Sequence, residues 1–413
     1  MEPLQNYSMI KHSQYFTETL LAESLIKLIP TESVGRILDL GIGNGSLSLA
    51  AKRRWSNSVV DAVDIDQDIC LRYETSEYQD INVKYGDVLS LEGTKHLIEG
   101  DYDLGLCNPP FFKIKKNNDY DEFFIQANLT GLSTLKNLSA DVVFIAQNIK
   151  FLRPGGILMA IIPDGLLTRH DYLPFRETLV NNVQITQVIQ FPDKAFLRTE
   201  ARTHVLFITK TMPNMDMVPI SLMKEDGTIV DTIRVSRNNL LNRMDYSYLK
   251  WQTSMIGRTV KEKSIFFVPD FKISRGSLSY KDLRKANTKY LHSNSFSDHE
   301  EIIVDETAKG YIGDTGKCMA REGNFVLCRV GKRCVGKVAY IKQGAITLSD
   351  CVYKIEIAKP YIEIMRSILF SSSFIDWVQH SSHGVCSKVI SKCDLENYIT
   401  SMLKESLQKK DEG

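Results

Sequence analysis

A chain of 413 residues exceeds what one hydrophobic core usually organises, so two domains of roughly 150 to 250 residues each are expected, and 43% apolar with 24% charged residues fits a soluble globular protein. The first residues carry no basic region leading into an apolar one and no run of about 18 apolar residues occurs, which argues against secretion and membrane spanning. The net charge of +1 hides an asymmetry: from Tyr246 onward 26 Lys and Arg face 19 Asp and Glu, leaving 25 against 31 before it, so the C-terminal part is the basic one and suits a module that meets phosphates.

In chain order, TETLLAESLIKLI carries apolar residues at helical spacing, VGRILDL reads as a buried strand and SLSLAAKRR as a helix. VVDAVDI, INVKYGDV and YDLGLCN are further strands, and a long helical pattern ends at Phe151. GGILMAIIP then reads as a strand, YLPFRETLVNN as a helix, and ITQVIQF and THVLFIT as two more strands. This alternation predicts an α/β domain with a mainly parallel sheet and helices on both faces.

After Lys210 the pattern changes to short β-like runs between turns, as in RGSLSY, KGYIGDTGKC, NFVLCRVGKRCVGKVAYIKQGAITLSD and CVYKIEIA. One helical stretch, PYIEIMRSILFSSSFIDWVQ, follows, and the charged LKESLQKKDEG is expected to fray. The domains are accordingly placed at 1–230 and 231–413. Eight cysteines include no C-x-x-C pair and fall mostly among strand-like residues, as reduced thiols of a cytoplasmic protein would, so no structural metal is expected.

The strongest local signal is Asp39-Leu-Gly41-Ile-Gly43-Asn-Gly45, set between a strand and a helix. Glycines there let the backbone approach a ligand closely, and the following helix offers free N–H groups. The G-x-G-x-G spacing, with Ser46 where a dinucleotide fingerprint has glycine, points away from a nicotinamide cofactor. Asp64 and Asp87 end the next two strands, where ligands sit in open α/β sheets. The first carboxylate, with Ile65 beside it in the cofactor seat, can accept from ribose hydroxyls, and the second from an adenine amine, with Val88 or Leu89 beside it to cover a ring face.

At the end of the fourth strand stands Asn108-Pro109-Pro110-Phe111. Two prolines fix φ at successive positions and leave carbonyls unused by any ladder, which makes the corner stiff and rich in acceptors. The Asn108 side-chain oxygen and the Pro109 carbonyl can accept both hydrogens of an exocyclic amine while Phe111 stacks on its ring.

Together these segments resemble the amino-methyltransferases of restriction–modification systems, in the arrangement with the cofactor motif first, the catalytic motif next and the target-recognition domain last. Ser13-Gln14-Tyr15-Phe16-Thr17 resembles the family's Q-Y-F-T-P segment, with Glu18 in place of proline. FLRPGGILMAIIPDGLL resembles its fifth-strand region, and FPDKAFLRTEARTHVLFITK the segment that helps hold a flipped base, where Phe191 and Phe196 compete for the stacking role. The C-terminal half resembles target-recognition domains through NRMDYSYL, SRGSLSY, YIGDTGKCMAREGNF and SSHGVCSKVISKCDLENY.

The resemblance implies a Rossmann-like methyltransferase domain with a mainly parallel seven-stranded sheet, followed by an α+β target-recognition domain. It implies S-adenosyl-L-methionine as cofactor, with Tyr15 and Thr17 joining the seat, and N6 methylation of adenine flipped out of double-stranded DNA. A separate restriction endonuclease or specificity subunit is an implied partner. Arg275, Lys281, Arg284, Lys285, Arg321, Lys332 and Arg333 are candidates for contact with phosphates or bases. Ribosomal-RNA guanine-N2 and release-factor glutamine methylases also carry N-P-P-F or N-P-P-Y, and cytosine N4 is a further acceptor. A DNA-binding subunit with a decayed methylase domain is the non-enzymatic alternative, against which the intact Asp39, Gly41, Gly43, Asp64, Asp87 and Asn108 argue.

Overall fold

The computed structural model of the chain describes residues 19–74, 80–191, 202–259, 268–285, 289–296, 301–307, 318–384 and 387–411. Two compact units emerge, Met1–Lys250 and Trp251–Gly413.

The first unit begins with α1 (Thr19–Lys27), β1 (Arg36–Leu40), α2 (Ser46–Arg54), β2 (Val59–Asp64), α3 (Gln67–Glu74), β3 (Ile81–Tyr85), α4 (Leu91–Thr94) and β4 (Tyr102–Cys107). A short ribbon, β5 (Lys113–Ile114) with β6 (Leu138–Ser139), flanks α5 (Asn118–Gln126) and leads into α6 (Ala140–Phe151). Then come β7 (Leu152–Pro163), α7 (Asp164–Thr168), α8 (Leu173–Asn182), β8 (Gln184–Gln190), β9 (Thr203–Thr209), β10 (Met217–Met223) and β11 (Ile229–Ser236), and α9 (Tyr246–Thr259) crosses the division at 250.

The sheet has nine strands in the order β11-β10-β8-β9-β7-β4-β1-β2-β3. From β3 to β7 neighbours run parallel, whereas β9 is antiparallel to both β7 and β8. The central strands are buried on both faces, with Ile37, Leu38, Leu40, Leu104, Leu106 and Cys107 all fully covered, which is why they read as continuous apolar runs. The seven expected strands are present and the hairpin β10–β11 extends them, β10 pairing parallel to β8. Its tip is an Asp226-Gly227 turn with Gly227 at φ 81°, and its buried Val218, Ile220 and Met223 cover what would otherwise be an open edge. This hairpin moves the division from 230 to 250.

A buried charged cluster fixes the segments that follow β7 and β11. Arg176 of α8, 1% exposed, donates to the carbonyls of Leu166, Arg169 and Leu241, while Arg243 and Asp245 pair at 1% and 0% exposure. The Met244 N–H reaches the Leu167 carbonyl at 3.1 Å, so the segment after β11 is stitched to α7.

The second unit contains β12 (Phe271–Arg275), α10 (Tyr280–Lys285), β13 (Tyr290–Leu291), β14 (Glu301–Ile303), β15 (Met319–Arg321), β16 (Phe325–Cys328), β17 (Val338–Gln343), β18 (Ala345–Leu348), β19 (Val352–Ile357), α11 (Ile362–Leu369), α12 (Ser372–Ser381) and α13 (Lys392–Asp411). Its sheets are β12-β19-β16-β17-β14 and β13-β18-β15. Trp377 stacks between Phe374 and Tyr398, at 5.5 and 4.6 Å between ring centroids, at the centre of the core.

Two expectations are corrected here. The stretch read as one helix is two, because the Ser371 hydroxyl accepts the Phe374 N–H at 3.0 Å and caps a new helix. The closing segment does not fray at Leu403: α13 runs on to Asp411, held by buried Leu395, Tyr398, Ile399 and Leu403. Among the described residues the seven cysteines are free thiols, no cluster of His, Cys, Asp and Glu could hold a metal, and no helix is long and apolar enough to cross a membrane.

Candidate active site

The carboxyl ends of β1, β2 and β4 converge. Asp39 pairs with Leu106 across β1 and β4, the last pair of that register, so the segments that begin at Gly41 and Asn108 leave the sheet from adjacent strands. On the other flank the Gly41 N–H donates to the Val63 carbonyl at 2.8 Å, placing Asp64 next to the bend.

Gly41, Gly43 and Gly45 all have left-handed backbones, at φ 81°, 55° and 74°, which side chains rarely adopt. A Cβ on Gly41 would stand 3.2 Å from the Phe144 ring, so the bend and α6 are in close approach. The loop is pinned by Asp64, whose two carboxylate oxygens accept the N–H groups of Gly43 at 2.8 Å and Asp66 at 2.9 Å. The carboxylate, with about four lone-pair sites, keeps acceptor capacity for a ligand hydroxyl. Ile65 behind it is 37% exposed, an apolar face left open beside the carboxylate. Asp87 accepts the Leu89 N–H at 2.9 Å, and the buried Val88 gives its carbonyl to Gln147 at 3.2 Å.

Asp39 is 3% exposed, and its carboxylate accepts the Ser48 hydroxyl at 2.5 Å. Burial pushes its pKa up to about 7, against the lowering effect of Ser48, and Asp64 adds to the rise. Asp64 is raised too, again mainly by burial. Neither makes an ion pair among the described residues, so a cation bound beside them would be favoured. A carboxyl that holds its proton more tightly folded than unfolded stabilises the fold at low pH and loses that contribution as pH rises through the folded value. The thermal midpoint of the unliganded chain is therefore expected to fall between pH 5 and pH 7.5, and Asp39→Asn to flatten that fall.

Beyond Cys107, Asn108, Pro110 and Phe111 are half-buried and Pro109 is buried. The Phe112 carbonyl accepts the Ala140 N–H at 3.0 Å, and Lys113 pairs with Ser139, so the N-P-P-F corner is tied at its exit to the start of α6. All twelve residues of α6 are buried, including the polar Asp141, Gln147 and Asn148.

Phe191, one of the two expected stacking residues, is corrected: it is fully buried in the sheet core with Met159, Ile161, Val205 and Phe207, where no base can reach it. Tyr15, Thr17 and Phe196 lie outside the described residues, as does the side chain of Arg284. In the second unit Arg275 is held by Asp350, through its carbonyl at 2.8 Å and its carboxylate at 3.1 Å, while Lys281, Lys285, Arg321, Lys332 and Arg333 are exposed. Sequence reading missed Phe144, Gln147, Ser48 and Asp141. The available signal was polar residues at helical spacing inside an otherwise apolar helix.

A glycine-lined bend behind β1, a carboxylate behind β2 and an N-P-P-F corner behind β4 thus stand on one sheet, in which β9 and β11 run against the other strands. The chain belongs to the N-6 DNA Methylase family, whose profile matches residues 4–245. It is 30% identical to the rRNA N(6)-adenosine-methyltransferase metl-5 of Caenorhabditis elegans over 37% of this chain and 64% of that protein. It is 27% identical to the Type II methyltransferase M.BsuBI of Bacillus subtilis over 52% of this chain and 46% of that one. The Type I restriction enzyme EcoKI methylase subunit of Escherichia coli is 24% identical over 49% and 42% respectively. The chain thus spans about half the length of the curated relatives it matches. Among solved structures, the type IIG restriction endonuclease BpuSI aligns with a TM-score of 0.48 and 12% identity over 92% of this chain and 57% of its own.

The donor that goes with this family, S-adenosylmethionine, fits the residues present. The bend carries left-handed glycine backbone with no side chain at three alternate positions, Asp64 retains acceptor capacity toward ribose, and the buried carboxylates suit a cationic group.

Proposed function

We propose that this chain methylates the N6 amine of adenine in double-stranded DNA, using S-adenosylmethionine, within a restriction–modification system. The observation that carries the reading is the pairing of Asp39 with Leu106, which brings the ends of β1 and β4, to which the donor and acceptor seats are assigned, onto adjacent strands. Bound there, the donor supplies an activated methyl group for an in-line displacement.

The protein's own part is positioning. Asp64, with Ile65, Asp87 and Val88, seats the nucleoside end, and Gly41, Gly43 and Gly45 let the backbone close on the remainder, with Tyr15 and Thr17 assigned to the same seat. The Asn108 side-chain oxygen and the Pro109 carbonyl accept the two amine hydrogens, which turns the nitrogen lone pair toward the methyl and stabilises the positive charge that builds on nitrogen. Pro110 stiffens the corner. Phe111, with Phe196, stacks on the base, which must leave the duplex to reach the corner. Residues 1–250 are assigned this chemistry and 251–413 the reading of DNA, supported by the basic excess after Tyr246 and the exposed cations there. An endonuclease or specificity subunit is the partner class this implies.

A second reading is favoured by the relative of 30% identity, which is named as an rRNA adenosine methylase: the same amine in RNA. Incubation of the pure chain with methyl-labelled donor and, separately, duplex DNA, ribosomal RNA and transfer RNA separates the two. Label is expected in DNA, released as N6-methyladenine on nucleoside analysis. Label in RNA alone transfers the assignment to RNA, and N4-methylcytosine in DNA overturns the choice of base.

A further inference from the structure

Among the buried carboxylates of the catalytic unit, one stands on the helix that touches both the bend and the corner. Asp141 stands in the first turn of α6 and is 1% exposed. Its Oδ1 accepts the Ser139 hydroxyl and, at 2.9 Å, the Val142 N–H, and the Tyr172 hydroxyl donates to Ser139 at 3.2 Å. No lysine, arginine or histidine pairs with it among the described residues.

Its place is set by three contacts of the same helix. One turn further along, Phe144 lies against Gly41 in the donor bend. Gln147 reaches the Val88 carbonyl, and the Ala140 N–H holds the Phe112 carbonyl at the exit of the N-P-P-F corner. Asp141 stands on that helix between the Ala140 hydrogen bond at the corner and, one turn on, the Phe144 contact at the bend. The titratable groups that feel its charge are Cys107 at the end of β4 and Tyr172, which reaches it through Ser139. The Cys107 thiol is pushed well up by burial first and then by the charges of Asp39 and Asp141, which flank it.

A buried carboxylate with no counter-ion is costly unless a cation arrives to neutralise it. We propose that Asp141 is a positioning residue of the donor pocket, its carboxylate acting as counter-charge to the cationic sulfur at the point where the methyl group faces Asn108. The chain would then favour the positively charged donor over its neutral thioether product, which differ by the methyl group and that charge. Burial raises the Asp141 pKa to about 6, against the lowering effect of Ser139, so the discrimination weakens below neutral pH. The proposal rests on the donor seat assigned above.

The test is calorimetric binding of S-adenosylmethionine and S-adenosylhomocysteine to the full chain, without DNA, at pH 8 and pH 6. Asp141→Asn is expected to lower the donor-to-product affinity ratio at pH 8 about tenfold, the effect of one nearby unit charge on a group of opposite sign, and Asp141→Glu to restore most of it. Ser139→Ala keeps the charge and removes a hydrogen bond that favours it, so its ratio should match the wild type at pH 8 and fall below it at pH 6. An unchanged ratio in a folded Asp141→Asn chain, including one where both ligands weaken together as a helix-capping role would cause, overturns the proposal. If that variant does not fold, a Ser139→Ala ratio equal to the wild type at both pH values does the same. A wild-type chain that binds neither compound removes the seat itself, and the proposal with it.

Discussion

Asn108→Ala is expected to reduce methyl incorporation into duplex DNA about a hundred- to a thousandfold, the range for removing one preorganised hydrogen-bonding group aimed at developing charge. Donor affinity should stay within a factor of about two to three, because the seat is built from Gly41, Gly43 and Asp64 and not from the corner. The fold should also survive, since Asn108 is only half-buried and the corner is held independently by Pro109, Pro110 and the Phe112-to-Ala140 hydrogen bond. Single-turnover methylation alongside donor calorimetry separates these quantities. Native incorporation by the alanine variant would remove the amine clamp from the reaction.

The corner and the bend were legible in sequence because each lies directly after a short buried strand. A run such as ILDL or LGLC fixes where the strand stops, and the glycines or prolines that follow specify a backbone no ladder could use. What lies beside those loops was not legible, because it depends on tertiary contact. Phe144 follows Gly41 by about a hundred residues, and nothing local to either announces that they touch. Phe191 failed for a related reason: an F-P step reads as a loop, yet β8 delivers the ring into the core before the chain turns. The β10–β11 hairpin was not among the β-like runs read after Lys210, and its pairing could not be, since pairing across a sheet edge is set by which edge remains open. The two-helix break at Ser371 carried a readable signal, an S-S-S run able to cap, inside a pattern whose apolar periodicity continued across it.

The other large effect concerns stability. Asp245→Ala should destabilise the catalytic unit by about 3 to 5 kcal/mol, the range for removing one partner of a buried ion pair. The Arg243 guanidinium meets both Asp245 oxygens, at 2.7 and 2.9 Å, and lies 4.5 Å over the Tyr248 ring, with both charged residues all but sealed from solvent. Its charge also reaches Asp164, which His204, at 3.0 Å, then Arg202 and Arg243 hold well below the ordinary carboxylate range against the opposing cost of burial. Removing Asp245 leaves this cluster with an excess of buried positive charge, which neither Asp164 nor water can offset fully. For a unit of this size the thermal midpoint should drop by at least about 6 °C, whereas a shift under about 2 °C would contradict the assignment. The double variant Arg243→Met with Asp245→Leu should lose far less than Asp245→Ala, because burying two apolar side chains avoids the desolvation of both charges. If the double variant is instead the weaker of the two, the cluster's value lies in its hydrogen bonds to the backbone and not in charge balance. Its position gives that distinction a functional consequence. Asp164 follows β7 directly, and His204 lies in β9 beside Thr203, the residue paired with Pro163, so the same charges that stabilise the fold also hold the carboxyl edge on which the N-P-P-F corner depends.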